Sequence, residues 1–238
     1  MTEIGPVPVV LFATCLVESV RPELSERVVS LLRQAGAEPV VSRGATCCGQ
    51  PAFNAGFTKD ATRVARRTVR ALDATTGPIV VPSGSCATML NRHVPHLLSN
   101  SPAAAAAERV AERVQELSAF LAGRLPATPG HGPVAYHDSC HMLRELGEHQ
   151  APRDLLTGAG HSVSEMPGHD RCCGFGGTFS VKLPAISVAM ADEKLDEAVA
   201  TGAPVLASCD LSCVLHLDGR ARRRGLSLEV CHLAEVLT

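Results

Sequence analysis

Two adjacent cysteines followed by glycine occur twice in this chain, and the second copy repeats the surroundings of the first. Cys15 precedes Cys47 by 32 residues, and Cys140 precedes Cys172 by 32 residues. A single shift of 125 positions lays Cys15 on Cys140, Cys47 on Cys172, Cys48 on Cys173 and Gly49 on Gly174. Four coincidences at one offset mark an internal repeat, and what it repeats is a set of thiols. A chain of 238 residues holds one large domain or two of about 120 residues. The offset favours two related halves, 1–125 and 126–238, with the Pro/Gly stretch from Pro126 to Pro133 between them.

Each half alternates strand and helix. Pro8 to Thr14 is an apolar, β-branched run that ends at Cys15. Leu24, Val28, Leu31 and Leu32 then recur at helical spacing behind Pro22. Glu38 to Val41 reads as a strand leading to Cys47-Cys48-Gly49. Thr58 to Ala74 reads as a helix, and Ile79 to Pro82 as a strand feeding Ser83-Gly84-Ser85-Cys86. Asn91 to Pro102 reads as irregular and Ala103 to Leu125 as one long linking helix.

The second half follows the same plan. Strands are expected at Val134 to Tyr136, Ser162 to Met166, Pro204 to Ser208 and Leu226 to Cys231, with a helix from Leu183 to Ala200. The expected fold is α/β: two pseudo-symmetric repeats of a parallel-sheet unit, with the cysteine loops at the C-terminal ends of the strands. Scarce aromatics (no Trp, one Tyr, six Phe) leave Val, Leu and Ala to fill the core.

Four cysteines per half point to a metal. The first set is Cys15, Cys47, Cys48 and Cys86; the second is Cys140, Cys172, Cys173 and Cys213. The shared pairs Ser85-Cys86 and Ser212-Cys213 make Cys213 the counterpart of Cys86, although the 125 offset breaks after Ser208. Cys209, four residues before Cys213, is a candidate fifth ligand, and Cys231 reads as core. Four thiolates suit an iron–sulfur cluster or a Cys₄ zinc site. Neighbouring cysteines are expected to diverge, which favours a cluster several ångströms across. Gly49 and Gly174 are expected to clear room for it. Buried or disulfide-bonded cysteines are the remaining reading.

His137, Asp138 and His141 flank Cys140 and are candidates to relay a proton or hydrogen-bond a cluster. Gly174-x-Gly176-Gly177 lacks the dinucleotide-binding spacing. Arg220, Arg222, Arg223 and Arg224 read as a solvated helix end, with docking to an acidic partner as the other reading. No catalytic residue stands out. A net charge of −2 gives no reason to expect nucleic acid, and no run of about 18 apolar residues would span a membrane. The start, Met1 to Pro6, lacks an export signal. Ten cysteines then fit a reducing, cytoplasmic setting.

Longer motifs carry a family resemblance. Leu11-Phe12-Ala13-Thr14-Cys15, Cys47-Cys48-Gly49-Gln50-Pro51-Ala52, Tyr136-His137-Asp138-Ser139-Cys140-His141 and Cys172-Cys173-Gly174-Phe175-Gly176-Gly177-Thr178-Phe179 resemble the cysteine-rich CCG domain. That domain is found in heterodisulfide reductase, in the iron–sulfur subunit of glycolate oxidase and in the lactate-utilisation A group, which these motifs resemble most. The resemblance spans essentially the whole chain. It implies an electron-transfer subunit that binds one or two [4Fe-4S] clusters in a complex oxidising L-lactate to pyruvate. The implied partners are a ferredoxin-containing iron–sulfur subunit and a third small subunit. Two further readings are a heterodisulfide-reductase-type enzyme and a zinc-stabilised scaffold. The family pattern ends in Cys-x-x-Cys, whereas Met89 and His216 stand three residues after Cys86 and Cys213, so each repeat lacks the fifth thiolate.

Overall fold

The computed structural model describes residues 7–128 and 130–238. The start from Met1 to Pro6, and Pro129 within the Pro/Gly stretch, lie outside them. Among the described residues, eight strands form two parallel sheets of four. β1 (Val7–Leu11), β2 (Ala37–Val41), β3 (Ile79–Val81) and β4 (Val114–Glu116) lie in the order β2-β1-β3-β4. β5 (Gly132–Tyr136), β6 (His161–Ser164), β7 (Val205–Ser208) and β8 (Glu229–His232) repeat it as β6-β5-β7-β8. The strand order is the same in both repeats but the register shifts by one: Val10 lies opposite Val40, whereas Ala135, its counterpart at the 125 offset, lies opposite Ser164.

The central strands are buried on both faces, which is why β3 reads Ile-Val-Val without polar alternation. The edge strand β2 is largely exposed and holds Pro39, which cannot donate to a ladder and is tolerated there. Val10, Phe12, Ile79 and Val81 pack to one side, against Ala65, Val69, Leu72, Leu90 and Val110 of the first repeat. Val9, Leu11 and Val80 face the other way, into a core shared with Tyr136, Leu155, Leu206, Leu217 and Val230 of the second. Alternate residues of one strand thus serve a private core and a common one. The helix Pro22–Gln34 joins the common core through Leu24, Val28, Leu31 and Leu32, as its spacing predicts.

Two expectations are corrected between residues 89 and 125. Most of the stretch read as irregular is helical: a π-helical turn, Met89–His93, runs into the helix Val94–Leu98, and only the turns at 99–102 stay irregular. Met89, Leu90, Val94 and Leu98 are all fully buried, and that burial outweighs Pro95, which sits harmlessly in the first turn. The expected long helix is broken in the middle. Its first part, Ala104–Arg113, stops at β4, and a new helix, Leu117–Leu121, follows. β3 would otherwise expose an unpaired edge, and β4 fills it with Ile79 opposite Val114 and Val81 opposite Glu116. The Glu116 carboxylate then accepts the Ser118 N–H at 2.6 Å and restarts the helix.

Candidate metal centres

β1 is followed by β2 on one side of it and β3 on the other, so the loops leaving β1 and β3 part and open a crevice. The same holds for β5 and β7. Three side-chain caps turn these loops sharply into helices. Thr14 caps Cys15–Val20, Ser83 caps Gly84–Thr88, and Asp210 caps Leu211–Arg224. Cys15 is thereby the first residue of its helix, and Cys86 and Cys213 are the third residues of theirs. Cys140 likewise opens a helical turn beyond β5. Cys86 and Cys213 both stand three residues after the cap, and the two extra residues of the second repeat lie before β7, since Val10 pairs with Ile79 and its counterpart Ala135 with Leu206.

The structure brings each predicted quartet together. Cys48 and Cys86 place their sulfurs 3.3 Å apart, and Cys173 and Cys213 theirs 3.2 Å apart. Cys47 lies between the thiols of Cys15 and Cys48 and accepts from both, as Cys172 does between Cys140 and Cys173. The adjacent cysteines therefore converge on one row of sulfurs instead of diverging as expected. The turn that achieves this needs left-handed backbone, φ +93° at Gly49 and +91° at Gly174. The N–H of each glycine donates to the sulfur of Cys47 or Cys172 at 3.4 Å.

A second correction concerns these glycines. A Cβ on Gly174 would lie 2.6 Å from the Ser187 carbonyl, and one on Gly49 would lie 3.4 Å from that of Ala61. They clear space for the neighbouring helices, not for a cofactor.

The row of sulfurs separates the thiols chemically. Hydrogen bonds from Cys15 and Cys48, helped by the Gly49 N–H, hold Cys47 far below the usual thiol range; Cys140, Cys173 and the Gly174 N–H do the same to Cys172. Cys15, Cys48, Cys140 and Cys173 are raised, chiefly because each gives up its proton only at the expense of that bond and also by burial. One thiolate per quartet forms readily, and a metal must displace the other protons.

Both quartets open on a single cavity of about 420 Å³, lined by Cys15, Cys48 and Cys86 from one and Cys140, Cys172, Cys173 and Cys213 from the other. The space is many times the roughly 30 Å³ that one water occupies. A single zinc ion held at about 2.3 Å would need its four sulfurs within roughly 4 Å of one another. Among the described residues, the donor groups with all atoms within 4.8 Å of one another are His137–Cys173–Cys213 and Asp138–His149–His169, and neither is an all-cysteine set. Spread rows of soft sulfur donors around a sizeable void fit a multi-iron core better than one ion.

The other candidates fall elsewhere. Cys209 is fully buried with its sulfur 2.9 Å from that of Met142, away from the cavity. Cys231 is buried in β8, and burial pushes its thiol up to about 12. His141 lines the cavity, with Nδ1 3.7 Å from the Cys140 sulfur. Asp138 turns the other way. Both its oxygens are taken by Arg153 at 3.0 and 2.9 Å, and it meets His169 Nδ1 at 2.6 Å. That guanidinium opposes a cation among Asp138, His149 and His169, and it pins the loop that carries Cys140. Arg220 and Arg224 brace the helix Pro184–Ala200 through Asp192 at 2.8 and 3.2 Å, so half of the basic run is structural.

Asp210 is a feature that motif reading missed. It is buried between the quartets and accepts from the Ser85 N–H at 2.8 Å, from Ser212 Oγ at 2.6 Å, and from Ser83 and Ser139 at 3.3 Å. Burial alone would raise its carboxyl, but those donors prevail and hold it below the usual range. The signal was present as a helix-capping residue three positions before Cys213, matching Ser83 before Cys86.

Comparison with known proteins agrees with this duplication. The cysteine-rich domain family, CCG, matches residues 9–91 and again residues 134–218. Lactate utilization protein A of Bacillus cytotoxicus is 40% identical over 235 residues, covering 96% of this chain and 98% of that protein. The chain belongs to the lactate utilization protein A family. Relatives of that name in Halalkalibacterium halodurans and Bacillus pumilus are 40% and 39% identical over 233 residues, across 95% of this chain in each case and 95% and 97% of theirs. Among solved structures, a hypothetical protein from Helicobacter pylori superposes with a TM-score of 0.69 at 10% identity. The alignment covers 98% of this chain but 48% of that one, so the lactate utilization protein A fold corresponds to about half of that longer molecule. No helix among the described residues is long and apolar enough to cross a membrane.

Proposed function

We propose that the protein is an iron–sulfur electron-transfer subunit of a complex that oxidises L-lactate to pyruvate. The observation that carries this is the meeting of two four-cysteine rows on one cavity, in a chain whose relatives are named for lactate utilization. Cys15, Cys47, Cys48 and Cys86 would hold one [4Fe-4S] cluster, and Cys140, Cys172, Cys173 and Cys213 the other. Cys209, packed on Met142, is left out of both sets. When bound, such a cluster supplies reversible one-electron storage.

The chain's own groups set the conditions for that storage. The N–H groups of Gly49 and Gly174 donate to sulfur and favour the more reduced state. The buried Asp210 carboxylate opposes added negative charge from between the two sets. No Arg or Lys lines the cavity among the described residues, and its ionised carboxylate is Asp210. The proposed partners are a ferredoxin-containing iron–sulfur subunit and a third small subunit.

Anaerobic reconstitution with ferrous iron and sulfide, followed by electron paramagnetic resonance of the reduced protein, tests this reading. Cys173→Ala is expected to abolish the second cluster's signal and Cys231→Ala to leave both. Equal loss from the two variants would overturn the ligand assignment, and colourless protein carrying stoichiometric zinc would overturn the function.

A further inference from the structure

One side chain beside the second quartet has nothing to bond to. His137, immediately after β5, is 0% exposed, and neither of its ring nitrogens has a hydrogen-bond partner among the described residues. Its main chain is fixed, the N–H donating to the Ala207 carbonyl at 2.9 Å. Its ring nitrogen and the sulfurs of Cys173 and Cys213 all lie within 4.8 Å of one another. Buried polar groups in native proteins are almost always paired, and an imidazole that is buried and neutral has a lone pair to offer. The first repeat has no such group. The position equivalent to His137 by the 125 offset is Phe12, fully buried in the private core of the first repeat. The two quartets match in sulfur and differ by one nitrogen.

We propose that His137 is a nitrogen ligand to the metal held by Cys173 and Cys213, so that the two sites of this chain hold chemically different centres. The proposal rests on the metal-binding reading above. Imidazole in place of thiolate at an iron raises its reduction potential. With His137 taking the place of a thiolate at one iron, the second centre is the more easily reduced of the two, and electrons entering at the first run toward it.

The test uses the full chain reconstituted anaerobically with ferrous iron and sulfide, once at natural abundance and once with ¹⁵N-histidine. Pulsed electron paramagnetic resonance of the reduced protein is expected to show a strongly coupled histidine nitrogen. Iron-edge X-ray absorption is expected to show a nitrogen shell at roughly 2.0–2.1 Å inside the sulfur shell. His137→Phe, which copies the first repeat, should remove both signatures and bring the two reduction potentials together. An all-sulfur shell with only remote nitrogen coupling in the unaltered protein overturns the proposal while leaving the clusters standing. If zinc binds and no cluster forms, the electron-transfer reading fails, and the zinc-edge spectrum still decides for or against His137. Failure to take up either metal overturns both. The spectra of the unaltered protein decide the matter even if the variant does not fold.

Discussion

At the scale of single residues, the site depends on side chains that hold its loops as much as on the thiols. Asp138 and Arg153 form a bidentate pair whose side chains are 2% and 8% exposed. Removing one member of such a pair leaves a buried charge and costs about 3–5 kcal/mol. Arg153→Met is therefore expected to lower the unfolding free energy in urea by that amount, whereas Arg222→Ala, which loses an exposed pair with Asp218, should cost under about 1 kcal/mol. Burial would raise the Asp138 carboxyl, but Arg153 holds it below its ordinary 3.8. Its contribution is present above that value and is lost as pH falls through the lower folded one. Gly49→Ala and Gly174→Ala should each cost about 1–3 kcal/mol for left-handed backbone, and Gly174→Ala more, through its closer approach to Ser187; thermal unfolding of the two variants compares them. Six of the eight thiols were legible from one repeat offset, and Cys86 and Cys213 from the Ser-Cys pair they share. The environments of His137 and Asp210 were not, since burial and lost partners arise only when distant strands meet.

At the scale of elements, β4 shows what local pattern leaves open. Val110, Val114, Leu117 and Leu121 fit one helical stripe, and nothing nearby in sequence says that β3 needs a neighbour. The consequence is a buried acid in the edge strand. Burial pushes the Glu116 carboxyl up to about 7, despite hydrogen bonds from Ser118. The folded chain keeps that proton over a window in which the unfolded chain, near 4.5, has released it. Its stability therefore falls as pH rises from 4.5 to 7. Glu116→Gln is expected to be more stable than the parent at pH 8 by about 3 kcal/mol, at 1.36 kcal/mol per pKa unit. The two should draw level near pH 4, as urea titrations at both values would show. The opposite pH trend would mean that Glu116 is ionised in the fold. The other elements near the site were readable from apolar runs and caps, because their local preference and tertiary role coincide.

For the whole molecule, duplication explains why two rows of sulfur face one another. Each repeat puts its cysteines at the C-terminal edge of its own sheet, and the shared core turns the two edges onto a common cavity. The repeat itself was legible; the joining of both cores and both quartets was not, since no offset in a sequence says how two units pack. Loading either quartet must release thiol protons, so metal affinity is expected to rise with pH between 6 and 8, measurable by competition with a chelator. The most direct test of the account is native mass spectrometry of protein reconstituted and kept under strict anaerobiosis. The expected result is protein carrying whole [4Fe-4S] units, lost one quartet at a time in Cys48→Ala and Cys173→Ala. Protein that carries single zinc ions, or that retains its clusters when both cysteines are replaced, would contradict it.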